Sequence, residues 1–390
     1  MGKAYEVTRT IAQINEKIKA GKAVVLDAQE MTKLVRTEGK VKAAKKVDVV
    51  TTGTFSPMCS SGMLFNIGQR PPTIKTSRVW LNGVPCMAGL AAVDSYLGAT
   101  EPSEDDPLNK VYPGTFKYGG AHVIEDLVNG KSVHLKAEAY GTDCYPRTRL
   151  ERDILLDDLR NAILLNPRNG YQNYNCAVNS TDKIKYTYMG PLKSRFGNAN
   201  YATAGALSPL FNDPYFKTIG LGTKIFLGGG VGYVLGPGTQ HVPDPERNER
   251  GIPMTGAGTL MVKGDLKQMK PGFLRGVSIV GYGVSMAVAL GIPIPILNEE
   301  MAWFTGVGDE DIQMPIMDYG YDYPRANGKI LTHATFAELK SGSIDLNGKQ
   351  VATIPVTSHT KSLEVATLLK KWIEGGQFLL TEPQEPIPAW

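Results

Sequence analysis

The 390-residue chain is 42% hydrophobic and 21% charged, an ordinary globular balance that excludes a disordered or fibrous protein. Its length fits one large domain or two ordinary ones. The formal net charge of +4, from 42 basic and 38 acidic side chains, is spread without long runs of one sign, so no nucleic-acid partner is expected.

From the N-terminus, Ile11, Ile14 and Ile18 make a helical stripe that stops at Gly21. The mixed charge of this segment is not a signal-peptide pattern. Residues 23–28 predict a strand, 29–45 a second helix whose "KVKAAKK" end is its solvated face, and 47–52 a second strand. Helix, strand, helix, strand predicts an α/β layer with neighbouring parallel strands. The segment 51–62, "TTGTFSPMCSSG", is then expected to be a loop beyond a strand's carboxyl end, where ligands collect in such sheets.

Asn82-Gly83 predicts a hairpin, with Pro85 pushing its second strand to an edge. Residues 121–147 read as helix, Asn-Gly stop, alternating strand and a loop that carries Cys144. Cys59 and Cys144 therefore share one local order of strand, Gly-Thr, short loop and thiol. The glycine-rich run 219–241 fits no G-x-G-x-x-G register, and "NGKS" at 129–132 lacks the leading P-loop glycine because residue 125 is Glu125.

The run 277–297 carries no charge and is long enough to span a membrane. Gly281, Gly283, Gly291, Pro293 and Pro295 interrupt it, so it predicts a buried strand and helix of a soluble core and no membrane association. Asn-Gly turns follow at 327–328 and 347–348, then an amphipathic helix ending at Gly375 and a proline-rich surface tail over 383–390. The expected fold is α/β, with mixed sheet layers, flanking helices, Gly-rich loops and a smaller C-terminal subdomain. Residues 1–355 would form the main domain, and 356–390 a helix and tail packed on it.

Four cysteines, at 59, 86, 144 and 176, contain no Cys-x-x-Cys pair. That spacing argues against a zinc knuckle or an iron–sulfur cluster, and the lack of a secretory signal argues against a disulfide framework. Cys144 lies in "EAYGTDCYPRTRLER", where Arg147 and Arg149 can favour a thiolate or clamp a substrate carboxylate. Asp143 opposes ionisation but can hold a substrate ammonium. A turn with a surface ion pair explains the same residues equally well.

Cys59 has no charge nearby in sequence, yet its loop can offer backbone amides to a thiolate or persulfide. Thr54, Ser56 and Ser60 beside it are candidate substrate-binding residues. Cys86 and Cys176 read as small apolar fillers, although Tyr171, Asn173 and Asn175 make Cys176 a third candidate. His241, in a glycine-freed loop, is a candidate acid or base. No histidine–carboxylate spacing suggests a metal site, and none is expected.

The stretches "VDVVTTGTFSPMCSSG", "LNGVPCMAGLAAVDSYLG", "GGAHVIEDLVNGKSVHLKAEAYGTDCYPR" and "GGGVGYVLGPGTQH" together resemble the homocysteine biosynthesis protein family, long catalogued as a domain of unknown function and found in methanogens and other anaerobes. The resemblance covers nearly the whole chain. It implies an L-aspartate semialdehyde sulfurtransferase, a cytoplasmic enzyme that inserts reduced sulfur to make homocysteine. The two cysteines associated with activity in that family match Cys59 and Cys144.

Converting an aldehyde to a thiol takes sulfide and two electrons, with water leaving. The resemblance implies that a ferredoxin-like iron–sulfur partner supplies the electrons and that this chain binds no cofactor. Some relatives carry a CBS pair; this chain ends at Trp390 without room for one, so regulation through such domains is not expected. On this basis Cys144 is expected to bear the sulfur as a persulfide and Cys59 to resolve it as a disulfide. Arg147, Arg149 or Arg195 would take the substrate carboxylate, and assembly into a homo-oligomer stays open. Two other readings stand beside it: a non-catalytic sulfur carrier or scaffold, and an α/β enzyme that uses the Gly-rich loops for an acyl or phosphorylated ligand.

Overall fold

Thr10 starts the first helix, Ile11–Lys19: its side chain accepts from the Gln13 amide while the Gln13 side chain accepts from the Thr10 amide. This helix belongs to a computed structural model that describes residues 5–321, 324 and 328–387. Strand Val25–Asp27 runs parallel to Val49–Thr51, as the alternation of elements predicts, and Pro293–Pro295 joins them antiparallel. The single helix expected over 29–45 is instead two, Ala28–Glu38 and Lys40–Lys46. Gly39 stands between them at φ +81°, a left-handed turn that closes one helix and redirects the chain into the next.

The main body is a nine-stranded sheet whose pairings are antiparallel. Its path runs Leu274–Ile279, Gly283–Gly291, Lys224–Leu227, Gly230–Pro237, Leu260–Asp265, Asn161–Asn169, Gly62–Asn66 and Asp94–Gly98. Thr54–Pro57 pairs with Gly283–Gly291 as well. The segment 51–62 is therefore not a plain loop. Part of it is a strand of the main sheet, and Cys59 sits in the turn that follows.

The run 277–297 holds no helix; it spans the end of Leu274–Ile279, then Gly283–Gly291 and Pro293–Pro295. Strands flank Gly283–Gly291, and the helices Gly120–Val128 and His359–Glu374 pack on it. A strand covered on every side reads as an unbroken apolar run, which periodicity alone cannot tell from a buried helix. Among the described residues no helix is long and apolar enough to cross a membrane.

Arg78–Leu81 and Val84–Cys86 pair across Asn82-Gly83, whose φ angles of 49° and 74° suit the tight turn expected there. Val84–Cys86 is an edge strand, in line with Pro85, of a four-stranded sheet that also holds Val133–Glu138 and Arg149–Ile154. A six-stranded sheet follows the order Lys329–Thr335, Gln313–Asp318, Cys176–Val178, Ala199–Tyr201, Lys349–Pro355 and Ser343–Leu346. Its last hairpin turns at Asn347-Gly348 as expected, whereas Asn327 of the other Asn-Gly pair lies outside the described residues. In the tail, Glu385–Pro386 pairs with Gly220–Leu221; residues 388–390 lie outside the described residues.

The C-terminal helix His359–Glu374 stops at Gly375 and buries Val365, Ala366, Leu369 and Ile373. It packs on Val25–Asp27, Thr54–Pro57 and Gly283–Gly291. Each fully buried leucine or isoleucine there contributes about 1.5–3 kcal/mol. The Phe55 amide donates to Ser362 Oγ at 3.1 Å and the Ser358 amide to the Phe55 carbonyl at 3.0 Å. The C-terminal segment thus holds the strand that leads to Cys59.

Candidate functional site

A cavity of about 560 Å³ opens where the main sheet meets the six-stranded one. Thr54, Ser56, Cys59 and Arg168 line it from the first; Asn175, Met317 and Tyr319 line it from the second and its ends.

Local hydrogen bonds fix the Cys59 turn. The Met58 amide donates to the Met286 carbonyl at 2.7 Å, and the Ser61 amide and hydroxyl both donate to the Met58 carbonyl, at 3.1 and 2.7 Å. The chain then enters the strand Gly62–Asn66. A Cβ on Gly62 would stand 2.8 Å from the Leu97 carbonyl oxygen and 2.1 Å from Tyr96 Oη, so only glycine lets the neighbouring strand come this close. The outcome is a half-buried Cys59 with Sγ 3.2 Å from Ser285 Oγ and 4.0 Å from Tyr282 Oη. Ser56 Oγ lies 2.9 Å from Thr357 Oγ1, and Ser60 Oγ lies 3.4 Å from both Asn166 Oδ1 and the Arg168 carbonyl.

Among the described lining residues Arg168 is the only charged side chain. Its Nε is buried without a hydrogen-bond partner. Tyrosines form much of the remaining wall. Tyr171 and Tyr174 have ring centroids 5.0 Å apart, Tyr174 and Tyr188 6.2 Å, and Tyr188 stands 6.1 Å from Tyr282 and 6.0 Å from Tyr319. The hydroxyls of Tyr188 and Tyr319 touch in a short hydrogen bond. Burial pushes the Tyr171 hydroxyl up, Arg168 opposes this, and the nearby Cys59 sulfur adds to it. Burial pushes Tyr174 up too. Both hydroxyls are therefore neutral near physiological pH and can donate hydrogen bonds.

The structure brings Thr54, Ser56 and Cys59 together at this cavity, with Ser60 next to it. It does not bring the other expected group there: Asp143, Cys144, Arg147 and Arg149 are absent from the described lining. Thr142 and Tyr145 exchange backbone bonds of 2.9 and 3.1 Å, so Asp143 and Cys144 are the two exposed residues of a tight turn. Arg149 is bound at 2.6 Å to Glu151 in an exposed ion pair, an interaction worth little. The Arg147 amide donates to the Thr73 carbonyl, away from the cavity lining. Arg195 forms a fully surface pair with Asp182.

His241 is beside the cavity without lining it; Gln240, its neighbour, does line it. His241 Nδ1 is 3.0 Å from the Thr259 carbonyl and 3.1 Å from the Thr259 amide, and the ring packs 5.4 Å from Phe216. Cys176 is a buried core residue whose thiol burial pushes up to about 12. Burial, then Glu101, raises the Cys86 thiol as well. Neither thiol ionises readily, in keeping with packing roles. Among the described residues no three His, Cys, Asp or Glu side chains gather as a metal site. Sequence reasoning missed Arg168, Ser285 and the tyrosine wall.

Burial holds His241 below the ordinary imidazole value, with Arg247 adding to the effect, and burial does the same for His122 and His359. These groups stay neutral in the folded chain while the unfolded chain takes up protons. Their stabilisation is complete above the unfolded value and is lost as pH falls below it. His134, raised by Asp153 and Glu151, acts in the opposite sense but is exposed and screened. Urea midpoints should therefore fall between about pH 7.5 and about pH 5.5, across the ordinary imidazole value of about 6.5. A midpoint that rises over this range would show that another group dominates.

A family model described as homocysteine biosynthesis enzyme, sulfur-incorporation, matches residues 23–380. The chain is 50% identical to a Methanocaldococcus jannaschii protein named L-aspartate semialdehyde sulfurtransferase, across 96% of this chain and 72% of that protein. It is 46% identical to a Methanosarcina acetivorans protein of the same name, across 98% of this chain and 72% of that one. A Methanothermobacter thermautotrophicus protein described only as uncharacterized is 28% identical, across 88% and 74%. No solved structure matches the chain significantly. With the family's motifs running from its first strand to the end of its C-terminal helix, the chain belongs to the sulfur-incorporating homocysteine biosynthesis enzymes.

Proposed function

We propose that this chain is an L-aspartate semialdehyde sulfurtransferase that makes homocysteine, with Cys59 bearing the sulfur. One observation carries the assignment of the residue: of the four cysteines, Cys59 alone lines the cavity among the described residues. Family membership and the names of the relatives support the reaction.

The route begins with Cys59 holding a sulfane sulfur as a persulfide anion, to which the Ser285 hydroxyl donates. The terminal sulfur attacks the aldehyde carbon, and the carbonyl oxygen takes a proton as the C–S bond forms. Tyr282 is positioned to give that proton. Two electrons and two protons then cleave the S–S bond, which frees the Cys59 thiol and leaves a thiohemiacetal. Loss of water yields a thioaldehyde, and two further electrons with two protons give homocysteine.

The electrons come from outside the chain. A ferredoxin-like iron–sulfur protein suits the role, and no cofactor held by this chain enters the route. The roles differ from those expected from sequence: sulfur goes to Cys59, and no disulfide with Cys144 is invoked. Cys144, exposed on its turn, is a thiol that a protein reductant can reach. Free thiols and a diffusible substrate suit the reducing cytoplasm.

Ser285→Ala removes a hydrogen bond to an ionised sulfur, worth about 1.5–3 kcal/mol, so sulfur loading of Cys59 should slow about tenfold or more. Stopped-time mass measurement of the loaded fraction checks this. The enzymatic reading as a whole is tested with purified chain, aspartate semialdehyde, a persulfide donor and a reductant. Homocysteine formed over many turnovers supports it, and a single stoichiometric transfer would make the chain a carrier.

A further inference from the structure

We infer that the carboxylate of the amino-acid substrate is held by a cradle of buried hydroxyls, those of Thr54, Ser56, Thr203, Ser208 and Thr357, where the C-terminal helix begins. This rests on the proposed substrate and adds where its acidic end lies. All five residues line the cavity and none is more than 9% exposed. Side chains alternate along the strand Thr54–Pro57, so Phe55 joins the core under the C-terminal helix while Thr54 and Ser56 face the cavity. The Gly53 amide donates to the Leu207 carbonyl at 2.9 Å, which brings Ser208 up to this strand. The Val356 amide donates to the Tyr201 carbonyl at 2.8 Å, so Thr203 and Thr357 leave the parallel strands Ala199–Tyr201 and Lys349–Pro355 side by side.

The cluster holds more donors than it can use. Ser56 and Thr357 share one bond of 2.9 Å, which occupies one of their two O–H groups. Thr203 Oγ1 accepts from the Gly205 amide at 3.1 Å and Ser208 Oγ from the Ala204 amide at 3.3 Å. Those two oxygens lie 3.4 Å apart, so one O–H between them is left over. The Thr54 hydroxyl, on a residue only 6% exposed, has no partner among the described residues and opens on the cavity. Lone pairs already taken and O–H groups left over suit an accepting ligand rather than an ammonium. Thr357 precedes Ser358, the N-cap of the 16-residue helix His359–Glu374, whose partly positive end adds attraction for an anion. No Asp or Glu among the described lining residues opposes it.

The chain itself sets the reach. Ser56 and Cys59 stand on one continuous segment, roughly 10 Å apart along an extended backbone. A hydrogen bond of about 2.7 Å, the substrate's four-carbon chain and a persulfide bond of about 2 Å cover that distance. Arg168 belongs to the sulfur end. Ser60 Oγ lies 3.4 Å from the Arg168 carbonyl and Asn166 Nδ2 donates to Ser61 Oγ at 3.0 Å, so this arginine's segment is stitched to the Cys59 turn. A carboxylate in the cradle therefore leaves the aldehyde at Cys59.

Calorimetry on the full chain tests this with L-homoserine, 4-hydroxybutyrate, 3-aminopropan-1-ol, which lacks the carboxylate, and inorganic phosphate. Both carboxylates should bind, and 3-aminopropan-1-ol should bind about tenfold more weakly or worse. Thr54→Val keeps the shape and removes an O–H that no described protein group uses. Its urea midpoint and its sulfur loading of Cys59 should match native, while both carboxylates weaken about 10- to 100-fold. Thr54→Ser, which keeps the O–H, should restore binding to within a few-fold of native.

No homoserine binding to the native chain, 3-aminopropan-1-ol bound as tightly as 4-hydroxybutyrate, Thr54→Ser as weak as Thr54→Val, or phosphate bound more tightly than homoserine would each overturn the inference. So would Thr54→Val within twofold of native for homoserine, and loss of homoserine by Arg168→Met in that case would give the carboxylate to the arginine. Homocysteine formation is scored separately. The expected probe results with no homocysteine formed sink the reaction and uphold the cradle; homocysteine formed by Thr54→Val with an unchanged KM sinks the cradle and upholds the reaction.

Discussion

Replacing Cys59 by serine is expected to lower homocysteine formation by roughly three orders of magnitude or more, the scale seen when a covalent nucleophile is lost. The exchange is nearly isosteric at a half-buried position that already faces a hydroxyl, Ser285 Oγ at 3.2 Å, so the fold should not suffer. An unchanged urea midpoint with lost turnover is the expected pair of results. Cys144→Ser should behave differently. Its turn is exposed and away from the cavity lining, so turnover with a small-molecule reductant should stay within a few-fold of native. Loss should appear only when a protein supplies the electrons. Steady-state rates with each kind of donor separate these cases, and equal collapse of both variants with a small-molecule donor would return Cys144 to the chemistry.

A large effect on stability is expected at Gly53. A Cβ there would lie 2.1 Å from the Ser362 carbonyl oxygen and 2.9 Å from the Ala366 amide nitrogen, both backbone atoms of the C-terminal helix. No rotamer change relieves such a clash, so the helix must move. Gly53→Ala should therefore cost about 1–3 kcal/mol, towards the upper end because backbone has to give way. The strand Thr54–Pro57 begins at the next residue and shares the Ser362 hydrogen bond through Phe55, so the Cys59 turn should shift and turnover fall as well. Gly98→Ala is the control: nothing lies within 4 Å of its added Cβ, and its cost should stay within about 1 kcal/mol. Urea unfolding of the two variants decides, and equal midpoints would refute the close packing of the C-terminal helix on the site strand.

Much of the fold was legible because its signals are local. Ile11, Ile14 and Ile18 mark the first helix, Asn82-Gly83 and Asn347-Gly348 mark hairpins, and Gly375 marks a helix end. Gly39 was not legible as a break, because Met31, Val35, Ala43 and Ala44 keep a plausible apolar stripe across it and a lone glycine is tolerated inside helices. Gly283–Gly291 misled for the opposite reason: with every side covered, it lost the alternation that identifies a strand.

The site was half legible. Cys59, Thr54 and Ser56 are neighbours in sequence and in space. Arg168 is far from Cys59 along the chain, while Arg147 and Arg149 follow Cys144 closely, so sequence proximity put the charge beside Cys144, whereas the cavity brings Arg168 and Cys59 to one lining. The tyrosine and asparagine density of "GYQNYN" was a usable signal read in the wrong direction. Side chains alternate faces along an extended chain, so Asn175 meets the cavity while Cys176 beside it enters the core.

The central claim, that Cys59 carries the sulfur, is tested most directly by intact and peptide mass spectrometry after polysulfide treatment, followed by addition of aspartate semialdehyde and a reductant. The account predicts one added sulfur atom on the Cys59 peptide, present in Cys144→Ser, absent in Cys59→Ser, and discharged as homocysteine appears. Sulfur held on Cys144 and discharged from there, with Cys59 unmodified, would contradict it.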